Sequence, residues 1–427
     1  MRTNVLFLLA KALRQYLAGG DCRFVFRRTH ESALSPLDSA HLYLHVPFCS
    51  SECPYCPYNK IPFQPTVADQ YVEALHAEIR LVRARVGPLR APSLYVGGGT
   101  PMLLGHRFAE VIDCVRNAFD LDGPVAVEVT PADFSEKQVE YLQAAGATMV
   151  SVGVQSFQEA TLQTIGRLYP GPVARRALQQ LAQAGFDTVN ADLMFAVPGQ
   201  TQAQLSDDLE QAVACGASQV TTYPLFTFPY STAARHRRQR SLRLPSLPVR
   251  YRQYRHIWQH FHEHDFAPAS VWSFRKGRAA PYSSVTRKVY VGLGAGAATC
   301  IPGHYSFNTF DVPAYMAQLG RQRLPVALHM NTTRRLEDWY WLYWQMYQTR
   351  IDKNALRKRF KSPGPSPYAV LELCKLMRWI QEDEAEYRMT EAGAFWIHLA
   401  QNYLLLGSID RLWQRAMAEP FPQSVAI

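Results

Sequence analysis

The sequence predicts an α/β protein built around a partial barrel of six strands and helices. From residue 41 onward, short apolar runs alternate with helix-like stretches. The six runs occupy 41–46, 93–98, 125–130, 148–154, 187–195 and 219–225. Strands that alternate with helices of roughly ten or more residues indicate βαβ units and a parallel sheet. Right-handed crossovers wind such units into a partial (β/α)6 barrel or an open curved sheet.

The segments between the apolar runs have helical periodicity. They predict helices at 68–86, 106–119, 135–145, 172–185 and 201–215. Near the start, the stretch "VLFLLAKALRQYL" is too short to cross a bilayer and has no clear cleavage site for a signal peptide. We therefore interpret it as an amphipathic surface helix, and we expect a cytoplasmic protein without a membrane span.

The strand–helix rhythm stops after about residue 226, which predicts further segments around the barrel. We expect an N-terminal helical segment at 1–40, the barrel at 41–226, a barrel extension that covers the substrate at 227–333, and a C-terminal domain at 334–427. Helices and one short polar ribbon suggest that this last domain is mostly helical and resembles a winged helix. Trp339, Trp341 and Trp344 lie at helical spacing and are expected in its core.

Composition and charge limit the classes of partner. Five of the eight cysteines are isolated, which favours reduced thiols over a disulfide framework. The net charge is +10, and the run at 235–256 is dense in arginine. Such a run forms a solvated face or contacts phosphate or carboxylate groups. Since no nucleic-acid-binding motif accompanies it, an anionic small molecule is the better expectation.

Three cysteines follow the first predicted strand with the spacing C-x3-C-x2-C: Cys49, Cys53 and Cys56. A structural zinc site needs four ligands, but no second cysteine pair is present, and alternation along the strand turns His45 away. A redox CxxC motif leaves the third cysteine unexplained. A [4Fe–4S] cluster on three thiolates leaves one iron open, and that iron can bind a substrate or cofactor.

Other polar residues fall at the ends of successive strands. "GGGTP" (97–101) follows the second strand, and Glu128, Gln155 and Asp192 close or follow later ones. Carboxyl ends of parallel strands form the ligand site in such folds. The glycines permit close backbone approach to a ligand, so we expect their amides and the Thr100 hydroxyl to bind it. Lone carboxylates in apolar strands need partners such as a ribose diol or an ammonium group.

Six motifs occur in an order that resembles a known family. They are "YLHVPFC", "GGGTP", "VEVTP", "GVQSF", "NADLMFAVPGQ" and "GLGAGA", within about residues 41–309. The chain resembles the radical S-adenosylmethionine (SAM) superfamily, and within it the oxygen-independent coproporphyrinogen III oxidase family. The resemblance implies a [4Fe–4S] cluster that cleaves SAM reductively to a 5′-deoxyadenosyl radical, with an electron donor such as flavodoxin or ferredoxin.

The resemblance also implies which residues contact SAM. Tyr43, Gly98 and Glu128 match positions at the cluster-bound SAM. A second SAM is implied by matches at Tyr55, Gly99, Thr100, Gln155, Arg167 and Asp192. An arginine can hold a carboxylate in bidentate fashion, which suits Arg167.

The chain departs from the family at Tyr58, where the oxidase carries a further cysteine. Three functions therefore stay open. The first is oxidative decarboxylation of a porphyrinogen propionate or a similar reaction on a tetrapyrrole-like substrate. The second is methyl transfer or cyclopropanation with the second SAM as carbon donor. The third is a non-enzymatic haem chaperone.

Overall fold

The computed structural model describes residues 11, 13–18, 23–29, 32–226, 231, 243–277, 279–283, 288–361 and 367–427. Six strands form the predicted barrel core: β1 (His41–Val46), β2 (Leu94–Gly98), β3 (Val125–Val129), β4 (Met149–Gln155), β5 (Thr188–Phe195) and β6 (Gln219–Pro224). Each pairs in parallel with the next one along the chain. Nearly all their residues are buried, as in strands covered on both faces.

Helices connect these strands close to the predicted positions. The main helices span Pro65–Val86, Arg107–Ala118, Glu136–Ala144, Gly171–Gln183 and Gln202–Ala214. A short additional helix, Glu159–Thr164, precedes the fourth of them. Thr201 and Gln204 form a reciprocal capping box at the start of the fifth, which satisfies amides that the first helical turn leaves free.

The sheet extends beyond the barrel on both sides and reaches fourteen strands. Next to β6, Ser273–Lys276 and then Phe266–Pro268 pair antiparallel. Next to β1 lie the parallel strand Tyr290–Leu293 and then the antiparallel strands Ala298–Ile301, His304–Asn308, Val326–Asn331, Val25–Arg28 and Ser424–Ala426. Because the two outermost strands do not pair with each other, the barrel is partial, which confirms the predicted fold class.

Beyond the sheet, the C-terminal part is mostly helical, as predicted. Its helices are Arg334–Tyr347, Lys353–Arg359, Pro367–Leu376 and Glu391–Ala418. Three short strands, Arg350–Asp352, Glu386–Met389 and Ile380–Glu382, form a small sheet beside them. This arrangement of helices and a ribbon resembles a winged helix. Trp339 and Trp341 are buried in it, and Trp344 is half-buried.

Two expectations fall partly outside the described residues. Residues 11 and 13–18 are helical, but the rest of the predicted N-terminal helix is not described. The first part of the arginine-rich run, 235–242 with Arg237, Arg238 and Arg240, also lies outside the described residues, whereas its last part belongs to the helix Leu247–Glu263. No helix among the described residues has the length and apolar character to cross a membrane.

A buried carboxylate joins the first barrel helix to the loop after Tyr290–Leu293. Glu78 accepts hydrogen bonds from the Gly294 amide at 2.7 Å, the Asn308 side chain at 2.7 Å and the Tyr315 hydroxyl at 2.5 Å. Burial raises the pKa of Glu78 from 4.5 to about 7, although these hydrogen bonds act in the opposite direction. Beside it, Tyr71 donates to the His45 carbonyl and accepts from the Ala295 amide.

The raised pKa of Glu78 predicts a specific dependence of stability on pH. Since the folded state holds this proton more tightly than the unfolded state, stability from Glu78 is complete below pH about 4.5 and is lost as pH rises through about 7. In Glu78→Gln this contribution disappears, so the decrease in unfolding free energy between pH 5 and pH 8 should shrink by up to about 3 kcal/mol. Urea unfolding at both pH values measures it.

Glu73→Gln is the matched control, because Glu73 lies on the same helix but is exposed and paired with Arg107 at 2.6 Å. Its pH profile should run parallel to that of the unmodified protein. If the pH profile of Glu78→Gln also ran parallel to that of the unmodified protein, the raised pKa would not belong to Glu78.

Candidate cofactor site

The three predicted cluster ligands lie on one loop directly after β1. Cys49 ends the short strand Phe48–Cys49, which pairs with Ile61–Pro62 and closes the loop. Within the loop, the Cys56 amide donates to the Cys53 carbonyl at 3.2 Å. All three thiols are free and half-buried. Such a loop can offer three sulfur atoms to one metal cluster.

The electrostatics of the loop favour the binding of a positively charged group. Burial, and then the neighbouring Cys56 and Cys53, raise the pKa of the Cys49 thiol to about 12. Burial also raises the pKa of Cys56. Three thiolates this close and this buried repel each other, so a positively charged metal group is needed to hold them together. The residues therefore fit an iron–sulfur cluster.

His45 has no nitrogen left for a metal. Its Nδ1 lies 2.8 Å from the Tyr43 hydroxyl, and its Nε2 lies 2.9 Å from the Asn59 carbonyl oxygen. Burial lowers the pKa of His45 to about 4, so the ring is neutral. A zinc site that uses His45 as fourth ligand is thus incompatible with the structure.

The glycines after β2 approach other parts of the protein. A Cβ at Gly97 would lie 2.8 Å from the Glu128 carboxylate, and one at Gly99 would lie 2.4 Å from the Phe48 carbonyl oxygen. The amides that we expected to bind a ligand are already bonded: Gly98 to Glu128, Gly99 to the Val46 carbonyl and Thr100 to the Phe48 carbonyl. Two of these amides thus hold the loop against the segment Val46–Phe48 and the third binds Glu128, while the expected contacts of this loop with a ligand stay a prediction.

Glu128 lies at the end of β3 with defined partners. Its two oxygens accept from the Tyr95 hydroxyl at 2.5 Å and from the Gly98 amide at 3.2 Å. Tyr282 in turn donates to Tyr95 at 2.7 Å. Burial raises the pKa of Glu128 despite these two bonds. A carboxylate in this setting gains from a nearby cation or a hydroxyl donor, which ligands such as ammonium groups or sugars supply.

Asp192 and Arg167 have separate partners. Asp192 accepts from Ser151 at 3.0 Å and from Asn190 at 2.9 Å. Arg167 donates to the Tyr55 hydroxyl at 2.8 Å, and its guanidinium lies over the Tyr55 ring. No ion pair within 4.0 Å joins Arg167 to Asp192, both of which the structure describes. The guanidinium thus does not neutralise this carboxylate directly.

The environment of Asp192 favours its neutral form near physiological pH. Burial, and then the nearby Glu128, raise the pKa of Asp192 to about 7. Gln155 adopts a positive φ of 65°, an uncommon conformation for a non-glycine residue. Its side chain accepts from the Tyr223 hydroxyl at 2.5 Å, which holds it in place. Strained residues of this kind are often found at functional sites.

A polar cavity of about 430 Å³ brings eleven of the twelve predicted residues together. They come from the cysteine loop and from the ends of successive strands: Cys49, Cys53, Tyr55, Cys56, Gly98, Gly99, Thr100, Glu128, Gln155, Arg167 and Asp192. Tyr43 is the exception, since it faces a neighbouring cavity that shares Gly98 and Glu128. The roles of these residues toward cofactors stay predictions.

A larger cavity of about 800 Å³ adjoins the polar one. It lies between the antiparallel part of the sheet and the C-terminal helices, and its wall is mainly aromatic and aliphatic. Its aromatic side chains include Tyr290, Tyr305, Phe307, Phe310, Trp339 and Trp413. Arg14 is the one lysine or arginine among its described lining residues. The two cavities share a wall made of Tyr58, Tyr95, Gly98, Glu128 and Tyr343.

Several residues of the site were not found from the sequence. Tyr95 could have been suspected, because it is a hydroxyl-bearing residue in an apolar strand just before the glycines. No comparable feature of the sequence pointed to Tyr282, Tyr223 or Ser151. They act through contacts between segments distant in sequence, such as Tyr282 with Tyr95, and only the fold reveals such contacts.

Known proteins are similar to this chain over most of its length. Heme chaperone HemW of Bacillus subtilis (strain 168) is 27% identical over 290 residues, which is 66% of this chain and 76% of that protein. Oxygen-independent coproporphyrinogen III oxidase of Bradyrhizobium diazoefficiens is 29% identical over 310 residues, 68% of each chain. The solved structure of coproporphyrinogen III oxidase (HemN) from Escherichia coli has a TM-score of 0.75 at 21% identity, over 89% of this chain and 94% of that one, and shows the same fold.

The family comparison agrees with the motifs. Residues 43–212, from β1 to the fifth barrel helix, match the Radical SAM superfamily. This family implies a [4Fe–4S] cluster and SAM, and the cysteine loop and the polar cavity fit such a pair of cofactors. Residues 43–212 therefore match a radical SAM domain, and the chain is similar to oxygen-independent coproporphyrinogen III oxidase and to HemW.

Proposed function

We propose that this protein is a radical SAM enzyme that acts on a tetrapyrrole-like substrate, by oxidative decarboxylation of a propionate. The observation that carries the proposal is the wall shared by the two cavities at Tyr58, Tyr95, Gly98 and Glu128. A ligand in the larger cavity would lie directly beside a cofactor in the polar one. At about 800 Å³, the larger cavity falls within the range of about 300–1,000 Å³ typical of ligand sites.

The aromatic wall suits the flat, apolar body of a macrocycle, which can stack on tyrosine and tryptophan rings. The names of relatives support this class, since they refer to heme and to coproporphyrinogen. With Arg14 as the one lysine or arginine of the described lining, the macrocycle rather than its carboxylates would supply most of the contact. Further cations are present in the sequence at 235–240, outside the described residues.

The protein groups around the polar cavity would bind and orient the cofactors. When bound, the cluster supplies the electron for reductive cleavage of SAM. Cys49, Cys53 and Cys56 would hold the cluster, and Glu128, with Asp192 nearby, would attract the cationic parts of SAM. Arg167, fixed by Tyr55, would receive the carboxylate of a second SAM molecule. The buried setting of these groups excludes water from the reacting centre.

A haem chaperone is the second candidate function. Two observations favour it: the similarity to HemW over 76% of that protein's length, and Tyr58 at the position where the oxidase family carries an additional cysteine. Tyr58 is 44% exposed and lines both cavities, and its ring lies 6.4 Å from the ring of Trp413, centroid to centroid. In a chaperone, the same apolar cavity would hold haem without changing it.

The cluster assignment predicts loss of iron in a triple variant. Replacing Cys49, Cys53 and Cys56 with Ala should abolish the brown colour and the roughly four iron atoms per chain of anaerobically reconstituted protein. Cys114→Ala is the control and should keep both, because Cys114 lies half-buried on the helix Arg107–Ala118. Iron that persists in the triple variant would show that the ligands are elsewhere.

The second SAM site predicts a change in stoichiometry. Anaerobic equilibrium binding to the cluster-loaded protein should give about two SAM per chain. In Arg167→Ala the number of bound SAM molecules should fall towards one, because the carboxylate of the second SAM molecule loses its arginine partner. Arg175→Ala, which removes an exposed arginine bonded to Gln211, should leave it at two. A stoichiometry of one in the unmodified protein would exclude the second site and, with it, methyl transfer.

Product mass separates the candidate functions. Cluster-loaded protein is incubated anaerobically with SAM, reductant and either coproporphyrinogen III or haem, followed by mass spectrometry. The proposal requires 5′-deoxyadenosine and a product lighter by carbon dioxide and two hydrogen atoms for each propionate that becomes a vinyl group. A product heavier by one carbon would indicate methyl transfer. Haem that is bound unchanged, with SAM intact, would indicate the chaperone.

Filling the larger cavity should block the substrate without affecting SAM. Met330→Trp places a bulky ring among its lining residues and should lower tetrapyrrole binding at least about tenfold. The exposed Met417→Trp on the helix Glu391–Ala418 is the matched control. Equal tetrapyrrole binding by both variants would place the substrate elsewhere.

A further inference from the structure

A cluster of two histidines and a glutamate lies away from the cysteine loop, where the helix Leu247–Glu263 packs against the helix Gln202–Ala214. One potential ligand atom each from Glu210, His260 and His264 lies within 4.8 Å of the other two. Glu210 Oε2 is 3.4 Å from His264 Nε2 and 3.8 Å from His260 Nε2. The two imidazole rings stack with their centroids 4.3 Å apart.

The hydrogen bond of His264 fixes which of its nitrogens carries a proton. Nδ1 lies 2.8 Å from the His260 carbonyl oxygen. Because a carbonyl can only accept, Nδ1 must donate, and Nε2 of the neutral ring then presents a lone pair. This lone pair faces the Glu210 carboxylate at 3.4 Å. Two acceptors at this distance repel each other unless a cation, either a proton or a metal ion, lies between them.

His260 is the second observation that points to a ligand. Its side chain is only 8% exposed, and its Nε2 is buried without a hydrogen-bond partner. The 3.8 Å to Glu210 is too long for a hydrogen bond. An unpartnered nitrogen of this kind costs free energy unless something binds it.

Other charged and titratable groups face the cluster as well. His256 lies one turn earlier on the same helix, and its Nε2 is bonded to Ser206 at 2.8 Å. Glu263 is exposed and acts on the pKa of His260 from the same helix. Neither of these residues completes the coordination of His260 Nε2, so the three-residue cluster stands by itself.

We propose that Glu210, His260 and His264 bind a divalent transition-metal ion of the zinc class. Tetrahedral ligands at about 2.0–2.1 Å from zinc lie about 3.4 Å from each other, close to the two distances at Glu210. A bond from the far ring nitrogen to a backbone carbonyl, as in His264, is the usual support of a metal-bound histidine. Glu210 is 60% exposed, which leaves the fourth position open to water. The ion would fasten the two outer helices to each other.

The test uses cluster-loaded protein, so that the cysteines are occupied by iron. After removal of loosely bound metal with a chelator, Zn²⁺ is added and counted by elemental analysis. We expect one zinc per chain with the iron content unchanged, and a rise in the unfolding temperature that the chelator reverses. Co²⁺ should give the visible bands of nitrogen and oxygen coordination without thiolate charge-transfer bands.

Two variants locate the ion. Glu210→Gln and His264→Gln each remove one ligand from a partly exposed position and should weaken zinc binding at least about tenfold. His262→Gln, on the exposed face of the same helix, should bind zinc like the unmodified protein. Equal zinc binding by all of these proteins, or zinc uptake only with loss of iron, would overturn the proposal and leave a protonated His264 paired with Glu210. Neither result would affect the proposed tetrapyrrole chemistry.

Discussion

Burial of the Glu128 carboxylate at the end of β3 determines how the neighbouring strand ends. Its oxygens draw the Tyr95 hydroxyl and the Gly98 amide towards it, and Gly97 leaves room where a Cβ would lie 2.8 Å away. The loop after β2 can then follow the cysteine loop closely enough for the Thr100 amide to reach the Phe48 carbonyl at 2.7 Å. The Glu128 carboxylate thus fixes the end of β2, and the backbone of Gly99 and Thr100 joins this end to the segment before the three cysteines.

The charges of the polar cavity are arranged for a ligand that carries both signs. Glu128 and Asp192 are half-buried at the cavity wall, and desolvation is the main cause of the raised pKa of each. Arg167 lies on the same cavity but is held by Tyr55, and it does not form an ion pair with Asp192. Since neither carboxylate is neutralised by this guanidinium, a zwitterion with a cationic centre complements the cavity better than a simple anion does.

The sequence predicted the barrel well and the polar contacts less well, for physical reasons. Strand β1 has the predicted bounds, because buried parallel strands produce unbroken apolar runs that are visible locally. The pairing of Val25–Arg28 with Ser424–Ala426 joins segments from opposite ends of the chain, and nothing local indicates it. We expected the glycine loop to contact a ligand, because glycines in a sequence indicate that another group approaches the backbone closely but do not show which group it is. The structure fills it with Glu128, His45 and Phe48.

The two cavities have different origins in the chain, and this difference bears on function. The polar cavity is lined mostly by strand ends and loops of the barrel, where the resemblance to the family is strongest. The larger cavity is built mainly from the antiparallel extension and the C-terminal helices, beyond the matched region 43–212. The region that matches the family and the cavity that would receive a substrate are therefore largely separate parts of the chain. Tyr58, at the junction, belongs to both cavities, so a change at this residue would alter the place where cofactor and substrate would meet.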